Sequence, residues 1–150
     1  MTETPELTPE QKQRAAASLE NLPFARMMGM RLVDLALGEA VIAIDMRDEL
    51  RQPHGVLHGG VTATLIDTAM AFAIIPGLAE GEGTTTVDLT VHYLRPHLEG
   101  TVTCTAKVVR AGKRIITLSA EVVNADEKLI ATAMSTYMKI QSEPPAVAGG

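Results

Sequence analysis

The 150 residues suit one domain with a core of useful size. Apolar residues at 46% and charged residues at 21% are those of an ordinary globular chain, while the net charge of −5 speaks against a nucleic-acid partner, since phosphate binding needs a basic surface. Two phenylalanines, two tyrosines and no tryptophan cannot build a base-stacking platform, and the single cysteine, Cys104, allows neither an intrachain disulfide nor a cysteine zinc cluster.

Residues 1–10 are acidic and polar, without the basic-then-apolar pattern of a signal peptide. The longest mostly apolar run, 69–79, is short for a membrane span, so a soluble, cytoplasmic protein with no membrane partner is the expectation. Thr8-Pro9-Glu10-Gln11 predicts a helix start: Thr8 caps, proline suits the first helical position and Gln11 completes a capping box. The helix runs to about Leu22, where Asn21 and Pro23 end it, and its few apolar positions (Ala15, Leu19, Leu22) make it a peripheral lid. Residues 24–30, rich in methionine, read as short and irregular.

Two strands are predicted over 31–36 and 40–46, joined by a turn at Leu37-Gly38-Glu39. A loop over 47–57 follows, then a helix over 61–75. Four strand-like runs close the chain at 84–94, 101–110, 114–124 and 129–140, and their tight turns imply an antiparallel meander. Cys104 falls in the alternating run 101–109 and reads as a small core residue. The order of elements is α+β, an antiparallel sheet with a helix against one face. Residues 1–22 form an N-terminal segment and peripheral helix, 23–141 the main domain, and 142–150 a disordered tail.

The helix over 61–75 is apolar on every side, which predicts burial all round, and its only ionisable residue is Asp67. A carboxylate in apolar surroundings costs several kcal/mol or more unless it is paired. Thr64, Thr68 or a backbone amide could satisfy it, or it serves chemistry in a cleft that the helix borders. Upstream stands Gly55-Val56-Leu57-His58-Gly59-Gly60. Glycines 59 and 60 leave backbone N–H groups open at a helix start, suited to an oxyanion, or they simply permit a tight turn. Gly59 and Asp67 lie eight residues apart, roughly 12 Å along a helix, too far to serve one carbonyl. Two such helices packed antiparallel about a two-fold axis would bring Gly59 of one chain near Asp67 of the other, which predicts at least a dimer.

The run Gln52-Pro53-His54-Gly55-Val56-Leu57-His58-Gly59-Gly60, followed by Leu65-Ile66-Asp67-Thr68, resembles the signature of PaaI-type hotdog thioesterases. Thr86-Val87-Asp88-Leu89-Thr90-Val91-His92-Tyr93-Leu94-Arg95-Pro96 is similar to the strand after the helix in that family, and the element order fits over about residues 20–140. The resemblance implies a sheet wrapped around a central helix, a catalytic dimer, often assembled into a tetramer, and hydrolysis of acyl-CoA thioesters of aryl or medium-chain acids. By matched position, Gly59 would supply the backbone oxyanion donor and Asp67 of the partner chain would be general base or nucleophile. Thr86 would help hold the attacking water. Gln52 stands where many members carry asparagine, and either amide can donate to the thioester oxygen. His58 belongs to the motif and is expected to orient the loop.

Coenzyme A carries phosphates, for which the best basic cluster is Arg110-Ala111-Gly112-Lys113-Arg114; Arg95 is a second possibility, and a solvated hairpin turn is the plain alternative. The resemblance also places nucleotide contacts near this turn. Gly60 and Met70 complete the expected substrate contacts, with Met27, Met28, Met30 and Phe72 as further candidates for an adaptable apolar pocket. No cofactor is expected, and no metal: His54 and His58 stand four apart, without a third ligand at a convincing spacing. His92 and His97 read as surface or interface residues. A non-catalytic acyl-CoA-binding module of the same fold is the alternative function, against which Asp67, Thr86 and Gln52 speak. A dehydratase or hydratase on this fold finds no matching pattern.

Overall fold

The computed structural model describes residues 5–142. Helix α1 (Pro9–Asn21) opens with the predicted capping box: the Thr8 hydroxyl accepts from the Gln11 N–H, and the Gln11 side chain returns the bond. The following segment differs from expectation. Residues Pro23–Met28 form a short helix, α2, started by its proline and stopped at Gly29, whose φ of 73° places it in the left-handed region that glycine adopts without strain.

Strands β1 (Arg31–Ala36) and β2 (Glu39–Asp45) form the predicted hairpin. The central helix α3 (Gly59–Ile74) follows, then β3 (Glu82–Tyr93), β4 (Thr101–Ala111), β5 (Ile115–Asn124) and β6 (Leu129–Gln141). All pairings are antiparallel, in the order β1-β2-β4-β5-β6-β3. Only β4, β5 and β6 form the predicted meander. The chain crosses from β3 to β4 instead of turning back, so β4 pairs with β2 and β3 lies at the far edge beside β6.

The sheet curls around α3, the hotdog arrangement. Leu65, Ile66, Ala69 and Met70 of the helix are completely buried against Ile42, Ile44, Val102, Cys104, Leu118 and Val122 of the strands. Burying each of the large residues contributes roughly 1.5–3 kcal/mol. Cys104 is a core residue, as expected: burial pushes its thiol up to about 12, far from the nucleophilic thiolate form. α3 with its 3-10 extension, Gly59–Gly77, is 19 residues long with a mean hydropathy of 1.4, enough by length and composition to cross a membrane. Counting only 69–79 therefore understated the apolar stretch, because its threonines and glycines belong to the same helix. That apolar surface faces the sheet.

Burial of α3 is not complete all round. Ala63, Thr64, Asp67, Thr68 and Ala71 are only half-buried, and Gly60 and Ile75 are exposed, leaving one open stripe along the helix. Residues three and four apart stack on one helix face, so this stripe is continuous. A second feature matters for the site. β3 carries a bulge between Thr86 and Asp88, where two residues of β3 oppose one step of β6. Strict alternation would turn Asp88, Thr90 and His92 to the same face as Thr86. The bulge instead turns Leu89 and Val91 inward, where both pack on the core, and brings Tyr93 onto the helix start. His97 also departs from the sequence reading: it is 4% exposed, with Nε2 3.1 Å from the Gly100 carbonyl, so it is a buried loop anchor. Of the expected tail over 142–150, residues 143–150 lie outside the described residues, as do residues 1–4.

Candidate active site

Two groups of predicted residues converge on α3, one at its start and one at its midpoint. The first surrounds the helix start. Arg51 staples the loop before it, donating to the Gly55 and Leu98 carbonyls at 2.7 Å each, to Glu99 at 2.6 Å and to Asp48 at 3.0 Å. The Leu57 N–H donates to the His97 carbonyl at 2.8 Å and closes the loop against the β3–β4 crossover. His58 then caps α3: its Nδ1 accepts from the Gly60 N–H at 2.8 Å. This bond ties the His58 side chain to the loop-to-helix turn. The same bond corrects the expectation for Gly60, whose amide is already taken and is not an open donor.

The Gly59 N–H has no partner among the described residues, so it is the open donor at the positive end of the helix dipole. The next peptide unit is held as well, because the Tyr93 hydroxyl donates to the Gly59 carbonyl at 2.7 Å. A β-carbon at Gly59 would meet the Tyr93 ring at 3.3 Å, so glycine here serves close approach. Gly59, Gln52, Arg95, Tyr93 and Thr62 line one cavity of about 320 Å³. Gln52 gives its carbonyl oxygen to the His54 N–H, which leaves its NH₂ group as the available end. Arg95 is exposed at the cavity and forms no ion pair with a described residue.

The second group surrounds Asp67. Its Oδ1 accepts from the Thr86 hydroxyl at 2.8 Å and from the Tyr137 hydroxyl at 2.6 Å; the Tyr137 hydroxyl also lies 2.7 Å from the Asp67 carbonyl oxygen. Thr86 and Tyr137 are direct partners across β3 and β6, so their side chains share the face that looks at the helix. The expected partners Thr64 and Thr68 are not used; the Thr64 hydroxyl bonds back to the Gly60 carbonyl at 2.8 Å. Nor is Asp67 sealed in apolar surroundings: it is half-buried, and Thr86 beside it is exposed. Oδ2 accepts from no described residue, and no buried side-chain polar atom among the described residues lacks a partner, so Oδ2 is not sealed from solvent.

The remaining expectations divide. Arg110, Lys113 and Arg114 are exposed around the β4–β5 turn, without an ion pair to a described residue, at the end of the sheet where Arg114 and Lys139 flank the Tyr137 row. Met70 is corrected: it is 0% exposed in the core between helix and sheet and offers no surface to a ligand in the single chain. Sequence reasoning missed Tyr137, Tyr93 and Arg51. For Tyr93 a signal existed, a strand aromatic shortly before Arg95-Pro96. For Tyr137, 70 residues from Asp67 in sequence, there was none.

The chain belongs to the Thioesterase superfamily, whose sequence pattern matches residues 54–131, just over half of the chain. It is therefore a thioester hydrolase of the hotdog fold, and the PaaI-type resemblance holds. The acyl-coenzyme A thioesterase PaaI of Escherichia coli is 34% identical over 121 residues, spanning 79% of this chain and 84% of its own. The medium/long-chain acyl-CoA thioesterase YigI of Salmonella typhimurium is 28% identical over 88% of this chain and 96% of its own. The solved structure of the E. coli PaaI protein superposes with a TM-score of 0.77 at 30% identity, covering 85% of this chain and 91% of that one. A Haemophilus influenzae thioesterase, at 23% identity, shares the fold with a TM-score of 0.82 over 97% of this chain and 99% of its own.

Proposed function

We propose that this enzyme hydrolyses acyl-CoA thioesters of aryl or medium-chain acids. Asp67 acts as general base or nucleophile, and the Gly59 N–H of a second copy receives the oxyanion. The observation that carries this reading is Asp67 itself, a half-buried carboxylate with one oxygen held by two hydroxyls and the other left open. Thioester hydrolysis needs such a base or relay, together with a preorganised donor for the developing negative charge. The relatives named for acyl-CoA hydrolysis support CoA as the leaving group. In this reading Gln52 donates to the thioester oxygen and Thr86 helps hold water. The same reading keeps the enzyme in the cytoplasm.

Geometry supports a dimer as part of this reading. Within one chain Gly59 and Asp67 remain roughly 12 Å apart along α3, so neither group is a complete site. β3 is bonded on one side only, and Val87 and Tyr93 on it are each 55% exposed. A long edge strand of this kind, beside the open stripe of α3, calls for cover. Antiparallel packing of two copies covers both and assembles two composite sites; pairing of dimers into a tetramer belongs to the same proposal.

A thiol-release assay with acetyl-, hexanoyl-, phenylacetyl- and benzoyl-CoA tests the reaction. Turnover of the last three above acetyl-CoA is expected; tight binding with no thiol released would instead make the protein a binding module. For the nucleotide end, Lys113→Ala and Arg114→Ala should each raise KM by ~2–5-fold with little change in kcat, as exposed charge pairs allow. The effect should shrink at high salt, because these side chains are exposed. A KM that ignores both substitutions would remove this turn from the CoA site.

A further inference from the structure

Resting on that reading of Asp67, we infer that Tyr137 is a positioning residue for the reaction: its hydroxyl, with that of Thr86, anchors Oδ1 and so makes Oδ2 the oxygen that reacts.

Tyr137 stands on β6, opposite Ile116 of β5 on one side and Thr86 of β3 on the other, and is only 2% exposed. A tyrosine this deep must find a partner for its hydroxyl. A phenylalanine would fill the same space without that requirement, so the hydroxyl needs its own explanation. It is spent on Asp67, reaching Oδ1 at 2.6 Å and the main-chain carbonyl oxygen of the same residue at 2.7 Å. Burial first, and then the hydrogen bond to Asp67, push the phenol above its ordinary value, so it stays protonated and remains a donor at any working pH.

Both donors reach the same oxygen, from the same face of the sheet. Two hydrogen bonds to Oδ1 stop the carboxylate from rotating about its last torsion and concentrate stabilised charge on that atom. Oδ2 has no hydrogen-bond partner among the described residues and is not sealed from solvent. No ion pair with Asp67 occurs among the described residues, so the two hydroxyls alone fix its orientation. Either route open to Asp67 uses this arrangement. As a base, Oδ2 takes a proton from water. As a nucleophile, it forms the bond to the acyl carbon while the thiolate departs. In both, a turned carboxylate presents the wrong lone pair, and misplacement of reacting atoms by about 1 Å can cost ~10²-fold.

Tyr137→Phe keeps the ring and loses only the hydroxyl. The expected result is a single-turnover rate lowered by ~10–100-fold, with KM within about two-fold of wild type. A double-mutant cycle separates positioning from general support of the fold. If Tyr137 acts through Asp67, adding Tyr137→Phe to Asp67→Asn leaves the residual rate unchanged, since the group it positions is already disabled. A further multiplicative loss in the double variant, or a Tyr137→Phe single variant as fast as wild type, overturns the inference. An inactive Asp67→Asn beside a fully active Tyr137→Phe removes this inference alone, whereas an active Asp67→Asn removes the catalytic reading beneath it.

Discussion

Replacing Asp67 by asparagine is expected to lower turnover by ~10³-fold or more, within the range by which a lost base or nucleophile slows acyl transfer. The substitution is nearly isosteric. An asparagine carbonyl oxygen at the Oδ1 position can still accept from Thr86 and Tyr137, which now donate at 2.8 and 2.6 Å. What disappears is the charge and the reactive lone pair of Oδ2. Because Asp67 makes no ion pair with a described residue, removing its charge breaks none, and thermal unfolding should shift by only a few degrees at most. Thiol release and a melting curve on the same preparation therefore separate chemistry from folding. Full activity in this variant would move the catalytic group elsewhere.

The second large effect concerns assembly. Asp67→Asn and Gly59→Val should each be nearly inactive alone, the latter because a side chain at Gly59 drives into the Tyr93 ring and shields the open N–H. Co-refolded in equal amounts, half of the dimers pair one chain of each kind. In such a dimer the intact Gly59 of the first chain faces the intact Asp67 of the second, while the reciprocal site carries both defects. Activity should return to about a quarter of the wild-type rate per chain, since half the dimers hold one working site of two. Complementation is impossible if each chain carries its own site. A mixture no more active than its components would leave the composite site without support.

Much of this was legible in the sequence because local rules dominate there. Thr8 and Gln11 announce the first helix by a capping exchange three residues long, and alternating β-branched residues mark each strand within two or three residues of its observed ends. Asp67 stood out because it is the only charge in an apolar helix. The site's other half was legible as a helix start with two glycines, although only pairing in space showed which amide His58 leaves free.

What stayed hidden depends on contacts between distant segments. The place of β3 beside β6 is set by the crossover after Tyr93, where Arg51 bonds the Leu98 carbonyl across 47 residues and the Leu57 N–H bonds the His97 carbonyl, and no periodicity encodes that. The half-open stripe on α3 was invisible for a related reason. Alanine and threonine suit a buried face and an interface equally well, so composition alone reads as burial all round. Residues 24–30 misled through brevity: a six-residue helix offers too few turns for a period to register.

The bulge at Val87 resets the phase of β3, so that Thr86 upstream and Tyr93 downstream can serve the middle and the start of one helix. Because Val87 is the one extra residue, its loss would leave Thr86, Leu89, Val91 and Tyr93 on one face of a regular strand. A residue lost between Leu89 and Tyr93 has no such slack: with Leu89 kept inward, it would turn the tyrosine hydroxyl away from the Gly59 carbonyl. The stretch from Leu89 to Tyr93 thus works as a fixed ruler that delivers that hydroxyl to the glycine start of the central helix.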